Sequence, residues 1–357
     1  MTRPPETITA TVDDLDRFDT VIDVRSPAEF AEDHVPGAIS CPVLDDAERA
    51  LVGTMYKQES PFAARKVGAA LVARNIAKHI ETQFMDRPKT WRPLVYCWRG
   101  GQRSGAMTIV LRQIGWDARQ LDGGYKAFRR VVIADLEALP ARLDLRVLAG
   151  LTGSGKSCLL RALARHGAQV LDLEALAAHR GSLLGNLPDE PQPAQKGFET
   201  AVWSAMRSFD PARPVFVESE SRRIGVLRVP EVLIGRMREA PCLRLDADTS
   251  TRVALLMGEY SHFFAQPAQL AAKLDGLIPL HGHEPVRRWR QQIDARDWPG
   301  LVAELLEQHY DPAYSRSIHN HFVHYAQAVP IRITAAGNAT FDALAETLAR
   351  SIEPAVA

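Results

Sequence analysis

The stretch that most restricts what this chain can fold into is LDLRVLAGLTGSGKSCLLRALARHG, Leu143 to Gly167. It reads as an apolar strand, a glycine-rich turn and an amphipathic helix in direct succession. Gly150 to Ser157 satisfies G-x-x-x-x-G-K-S in full, and the flanking strand and helix are the context in which such a turn cradles phosphate. The backbone N–H groups of Gly153, Ser154, Gly155, Lys156 and Ser157 are candidates to hold phosphate oxygens, with Gly150 opening the turn. Lys156 supplies a point charge, and Ser157 is suited to coordinate Mg²⁺. Eight residues do not distinguish ATP from another diphosphate.

The same alternation runs through most of the chain. DTVIDVR, RPLVYC and ARQL read as strands, and SPAEFAEDH, RKVGAALVARNIAKHIETQF and SGAMTIVLRQIGW read as helices. Ser26 is a cap and Pro27 occupies a first helical position. A second series begins at Leu143, with strands at AQVLDL, PVFVESES, PCLRLDA and VPIRITAAGN. Strands alternating with helices predict an α/β protein built on parallel sheets flanked by helices. At 357 residues there is material for about two domains. The expected boundary lies in EALPARLD, giving domains at 1–137 and 138–357, the latter carrying a helical insertion or subdomain at about 249–324.

Charge gives no lead at the level of the whole chain, since Lys plus Arg and Asp plus Glu are 43 each; any basic surface is local. No apolar leader and no run of eighteen apolar residues is present, so neither secretion nor a membrane span is expected. Four scattered cysteines without C-x-x-C spacing suit a reducing cytoplasm. Cys41, Cys158 and Cys242 read as small buried hydrophobes.

Cys97 reads differently. VYCWRGGQRSG, Val95 to Gly105, puts it at the end of a strand, ahead of Arg99, Gly100, Gly101 and Arg103 and at the start of a helix. Backbone N–H groups, the helix N-terminus and an arginine fork converge there, an arrangement that grips an oxyanion and lowers a thiol pKa. Cys97 is the candidate nucleophile.

DVRSPAEFAEDHVPGAI, the Cys97 loop and LDGGYKAF, in that order, resemble a rhodanese domain over about the first 135 residues. The resemblance implies a rhodanese-like parallel sheet and a chalcogen carried on Cys97. One departure matters: five residues separate Cys97 from Arg103, where the common sulfur-carrying loop has four. Five is the count of phosphatase-type loops, which hold a tetrahedral oxyanion. Together with GLTGSGKS, FVESESRRIG and HYDPAYSRS, the fusion of this domain with a P-loop NTPase-like α/β domain resembles the tRNA 2-selenouridine synthase family. That resemblance implies a transferase acting on 2-thiouridine at the tRNA wobble position. Geranyl diphosphate first alkylates sulfur, and selenophosphate then supplies selenium through Cys97, carried as a selenyl-sulfide. Partners so implied are tRNA, the two phosphate donors and an enzyme that makes selenophosphate; Mg²⁺ is a candidate metal.

Glu218 in ESE is either a metal-assisting carboxylate or an exposed loop acid. Arg222 and Arg223, and Arg287, Arg288, Trp289 and Arg290, are candidate tRNA contacts, with Trp289 able to stack on an extruded base; either segment is alternatively a solvated face. HNHFVHY lacks a fourth ligand for zinc and reads as base-contacting or structural. Rival readings are a small-molecule kinase fused to a sulfurtransferase, a Cys97-dependent phosphatase, and an RNA-binding scaffold, the last disfavoured by an intact Cys97 and Arg103.

Overall fold

A computed structural model describes residues 8–350. The chain forms two compact units, the first running to Asp135 and taking in Ala194–Trp203, the second comprising Leu136–Pro193 and the chain from Ser204 onward. The segment Ala194–Trp203 thus groups with the first unit although it lies inside the stretch expected to form the second domain. Within the first unit, Trp203 meets the edge of Phe128 at 5.3 Å between ring centroids and donates its indole N–H to Asp135. Glu199 pairs with Arg129, and Lys196 with Glu32.

The first unit is built on β1 (Thr9–Ala10), β2 (Thr20–Asp23), β3 (Ile39–Ser40), β4 (Pro93–Tyr96) and β5 (Arg119–Leu121), all parallel, in the order β1-β5-β4-β2-β3. Its helices are α1 (Pro27–Glu32), α2 (Asp46–Gln58), α3 (Pro61–His79), α4 (Gln102–Ile114) and α5 (Gly124–Ala138). All four residues of β4 are buried, as expected of a central parallel strand covered on both faces. Ile22, Val24, Val95, Met107, Leu111, Phe84 and Trp91 join in one core. α2 has no fully buried residue, so the apolar periodicity that discloses the other helices is weak there; its signal is local, an Asp45–Glu48 capping box.

The second unit repeats the plan with β6 (Asp144–Ala149), β7 (Gln169–Leu171), β8 (Pro214–Glu218), β11 (Cys242–Ala247) and β12 (Pro330–Ile333), parallel in the order β12-β11-β6-β8-β7. A small antiparallel hairpin, β9 (Arg223–Ile224) and β10 (Leu227–Arg228), follows β8. Helices α6 (Lys156–Arg165), α7 (Leu173–Leu176), α9 (Glu231–Glu239) and α17 (Asn338–Arg350) accompany the strands, whereas α8 (Gln195–Ser208) belongs through Trp203 to the first unit. Between β11 and β12 the chain is helical, as expected: α10 (Thr249–Glu259), α11 (Ser261–Ala265), α12 (Pro267–Asp275), α13 (Ile278–His281), α14 (His283–Asp294), α15 (Trp298–Leu305) and α16 (Asp311–His321). This region has its own core, including Leu270, Leu274, Val286, Trp289, Leu301 and Leu305. Among the described residues no helix is long and apolar enough to cross a membrane.

Candidate active site

The DVR and GGY landmarks of the first unit turn out to be the scaffold of the cysteine loop. Arg25 and Asp23 form a buried ion pair, 1% and 0% exposed in their side chains, with Arg25 also donating to the Asp33 carbonyl and lying 4.0 Å over the Tyr125 ring. Tyr125 in turn donates its hydroxyl to Asp33. At the start of α5, the Tyr125 and Lys126 N–H groups donate to the carbonyls of Cys97 and Trp98 at 2.8 and 3.0 Å. Gly124, at φ +57°, lets the two backbones meet; a Cβ there would sit 2.3 Å from the Cys97 carbonyl oxygen.

Held in this way, Cys97 is 4% exposed. Its sulfur accepts from the Gly101 N–H at 3.2 Å and the Ser104 hydroxyl at 3.1 Å. Burial works against a thiolate, but the Ser104 hydroxyl and N–H, the Gly101 N–H and the Arg103 charge outweigh it, and the pKa falls below its ordinary value. Gln120 donates to the Ser104 hydroxyl oxygen at 2.7 Å, which orients the Ser104 proton toward sulfur. Arg103 is gripped by Glu29 at 2.8 Å. Burial opposes ionisation of Glu29, but Arg103, the Ser26 N–H and Arg49 bring its pKa down to about 2. Gly100 and Gly101 lie in the turn, while Arg99 points to solvent. Ser104, Gln120 and Glu29 were not singled out from the sequence. Ser104 directly follows Arg103 and was open to notice; Gln120 and Glu29 come from distant segments.

In the second unit, the glycine-lysine turn leaves the C-terminal end of β6, between β8 and β11, and feeds α6. Gly155, at φ +87°, lies against Phe341, which a Cβ would meet at 2.6 Å. Lys156 folds over the turn, donating to the Gly150 and Leu151 carbonyls at 3.0 and 3.3 Å. Desolvation disfavours its charge, but Tyr314, Glu174 and Glu220 overcome this and raise its pKa. The Ser154 hydroxyl is buried without a hydrogen-bond partner. Gly153, Gly155, Lys156 and Ser157 line a cavity of about 320 Å³ that also takes in Arg180, Glu220 and Tyr314.

Glu218 is 1% exposed, which removes the exposed-acid alternative. It accepts from the Glu174 N–H at 2.8 Å, and its other carboxylate oxygen is unpartnered. Burial first, then Asp172, Glu174 and Glu220, push its pKa well up. Glu220, two residues on, lines the phosphate cavity itself, its pKa lifted to about 8 by burial and Glu174. Ser157 donates to Glu174 at 3.0 Å. Hydroxyl and carboxylate oxygens of this kind suit Mg²⁺, which takes one or two carboxylates and completes its shell with phosphate oxygens and water. Among the described residues no group of three or more His, Cys, Asp or Glu side chains is arranged to hold a metal without such help. Glu174, Glu220, Arg180 and Tyr314 escaped the sequence reading because four separate segments deliver them; ESE and HYDPAYSRS held two of them in view.

The arginine-tryptophan segment is corrected by the structure. Trp289 is 0% exposed, and Val286, Trp289 and Ile293 form the buried stripe of α14, so its ring is unavailable to stack on a base. Arg287, Arg288 and Arg290 are exposed but paired with Glu284, Glu304 and Asp275. Arg222 pairs with Glu231, yet Arg222 and Arg223 line, with Arg238 and His321, a cavity of about 580 Å³ that shares Glu220, Ser221 and Tyr314 with the phosphate cavity. His319 and His324 are exposed. Of the other cysteines, Cys41 is in the core and pushed to about 12 by burial. Cys158 and Cys242 are only half-buried, and burial raises both, Cys242 to about 11.

Comparison with known proteins agrees with this division. Residues 143–277 match the family described as tRNA 2-selenouridine synthase AAA domain, and residues 7–130 match the Rhodanese-like domain. The chain is 36% identical to the tRNA 2-selenouridine synthase of Nitrosomonas europaea over 72% of its own length and 67% of that protein's. With the tRNA 2-selenouridine synthase of Marinobacter nauticus it shares 37% identity over 82% of this chain and 87% of the other. For that of Shewanella halifaxensis the figures are 36%, 84% and 88%. On this similarity, running through both anion-binding loops, the chain belongs to the tRNA 2-selenouridine synthase family.

Proposed function

We propose that the protein replaces the sulfur of a 2-thiouridine in tRNA by selenium in two steps, one at each loop. In the first, the thiocarbonyl sulfur attacks C1 of geranyl diphosphate; the new S–C bond forms as the C–O bond breaks, inorganic diphosphate leaves, and the N3 proton of the base is lost to solvent. The cradle of Gly153 to Ser157 and the Lys156 ammonium suit the charge that develops on that leaving group, and no nucleotide hydrolysis is called for. Alkylation also turns a poor leaving group at uracil C2 into a thiolate that departs readily.

In the second step the Cys97 thiolate attacks phosphorus of selenophosphate. An S–P bond forms as the P–Se bond breaks, and hydroselenide is released next to the alkylated base. Hydroselenide adds at C2 and expels geranyl thiolate; water then cleaves the phosphocysteine and restores the thiolate. A selenyl-sulfide on Cys97, the intermediate implied by rhodaneses, is not carried forward. Its selenium is two electrons more oxidised than selenophosphate selenium, and no oxidant is at hand. The five-residue spacing to Arg103 suits phosphorus as the point of attack, because it leaves room for a tetrahedral anion. The cavity with Arg222, Arg223 and Arg238 is the proposed approach for tRNA phosphates.

The single observation that carries this reading is the Cys97 sulfur, accepting from Gly101 and Ser104 and with its pKa drawn below the ordinary thiol value, in a chain of this family. Mass spectrometry of tRNA nucleosides after incubation with each donor tests it. Cys97→Ala abolishes selenation and leaves S-geranylation largely intact, while Lys156→Ala abolishes geranylation but still selenates tRNA geranylated beforehand. Two variants that lose only the same step would refute the division of labour.

A further inference from the structure

A second, narrow cavity, of about 50 Å³, adjoins the phosphate cavity. Thr152, Leu256, Tyr260 and Tyr310 line both. Beyond that shared rim the wall is made by Leu184, Phe263, Leu270, Leu301 and Leu305, all buried. The rim phenols offer nothing to a ligand in this direction, since the Tyr260 hydroxyl is engaged with Ser182 at 3.2 Å and Tyr310 bonds the same serine. A nucleobase or ribose seated here would leave its donors and acceptors unpaired, each a loss of affinity. A hydrocarbon chain has none to leave.

An apolar chamber opening from the rim of a diphosphate cradle fits one class of ligand, with a phosphorylated head and a hydrocarbon tail. We propose that this chamber, formed by α10, α11, α12 and α15, houses the prenyl tail of an allylic diphosphate whose head lies in the glycine-lysine turn, and that its depth limits the length of chain transferred. The proposal rests on the geranyl-transfer reading above and adds its location and its selectivity. Each CH₂ that finds a place in such a chamber multiplies affinity roughly fourfold, so chain length is read where the wall ends.

The test uses the full chain and calorimetric titration with inorganic diphosphate, dimethylallyl diphosphate, geranyl diphosphate and ATP. Leu305→Trp fills the chamber. It is expected to bind inorganic diphosphate and the five-carbon donor within about twofold of the wild-type chain, and geranyl diphosphate on the order of 100-fold more weakly. Leu270→Ala lengthens the chamber and is expected to shift the transferred group from geranyl toward farnesyl when both donors compete, read by nucleoside mass. Leu305→Trp binding geranyl diphosphate as tightly as the wild-type chain binds it would overturn the chamber while leaving geranyl transfer standing. Wild-type protein that binds ATP and ignores geranyl diphosphate would overturn the transfer reading itself. Should Leu305→Trp lose inorganic diphosphate too, having failed to fold, the Leu270→Ala competition decides, and an unchanged product length refutes the proposal.

Discussion

Replacing Gly124 by Ala probes the cysteine loop without touching any group that meets substrate. The added methyl would sit 2.3 Å from the Cys97 carbonyl oxygen and 2.5 Å from the Gly100 nitrogen, where ordinary contact begins at 3.4 Å. Relief requires the loop to retreat by roughly 1 Å, and a displacement of that size at a reacting group costs on the order of 100-fold in rate. The left-handed backbone at φ +57° adds about 1–3 kcal/mol of strain to a side chain. The retreat also stretches the Tyr125 and Lys126 N–H bonds to the Cys97 and Trp98 carbonyls, leaving the sulfur less well framed by Gly101. Gly124→Ala is therefore expected to slow selenation of geranylated tRNA about 100-fold in single turnover, to leave geranylation unchanged, and to move the pH profile of thiol alkylation upward. Urea denaturation would register the stability loss. Selenation within a few-fold of normal in a folded variant would refute the reasoning, as would a parallel loss of geranylation.

Two further outcomes follow from burial and charge. Glu220 is neutral below about 8 and charged above it, so inorganic diphosphate measured without metal is expected to bind more weakly as pH rises through that value; Glu220→Gln should flatten this dependence, and equal slopes would dismiss it. Trp289→Ala is expected to cost about 3–5 kcal/mol of stability in urea titration, against roughly 0.5 kcal/mol or less for Arg287→Ala; similar losses for the two would contradict the buried placement of the indole.

What the sequence disclosed and withheld follows from the range of the forces involved. The strand-turn-helix at Leu143 to Gly167 was legible because every part of its signal is local: apolar β6, the glycines, then the periodic α6. The Cys97 loop was legible for the same reason. α2 was not, because its helix buries no residue fully and leaves no stripe to read. Trp289 misled because arginines on either side suggest an interface, whereas the 3.6-residue period turns position 289 inward and its neighbours outward. Glu174, Glu220, Arg180 and Tyr314 reach the phosphate cavity from different elements, a convergence that only tertiary structure supplies. Glu218 shows the limit within a single tripeptide. Glu218 closes β8 and is buried there, whereas Glu220 lies past the strand end, where a turn closed by its N–H on the Glu218 carbonyl at 2.8 Å carries it to the cavity; nothing in ESE marks where the strand stops.

The charge inventory of the two loops explains why they are built so differently. The cysteine loop surrounds its sulfur with donors that favour the negative charge of a thiolate, so the pKa is drawn below its ordinary value. The phosphate cavity receives a ligand that is already an anion, yet Glu174, Glu218 and Glu220 crowd around Lys156. Burial pushes all three carboxyls upward, which makes each costlier to ionise than it is in water. One ammonium cannot balance three carboxylates and a diphosphate together. Positive charge arriving with the ligand would let the carboxyls ionise, so binding of a cation and diphosphate is coupled to proton release. Such a cavity binds a free anion poorly and a neutralised one well. For the geranyl transfer proposed above, that asymmetry would favour the charge appearing on diphosphate as its bond to carbon breaks over the bound donor at rest.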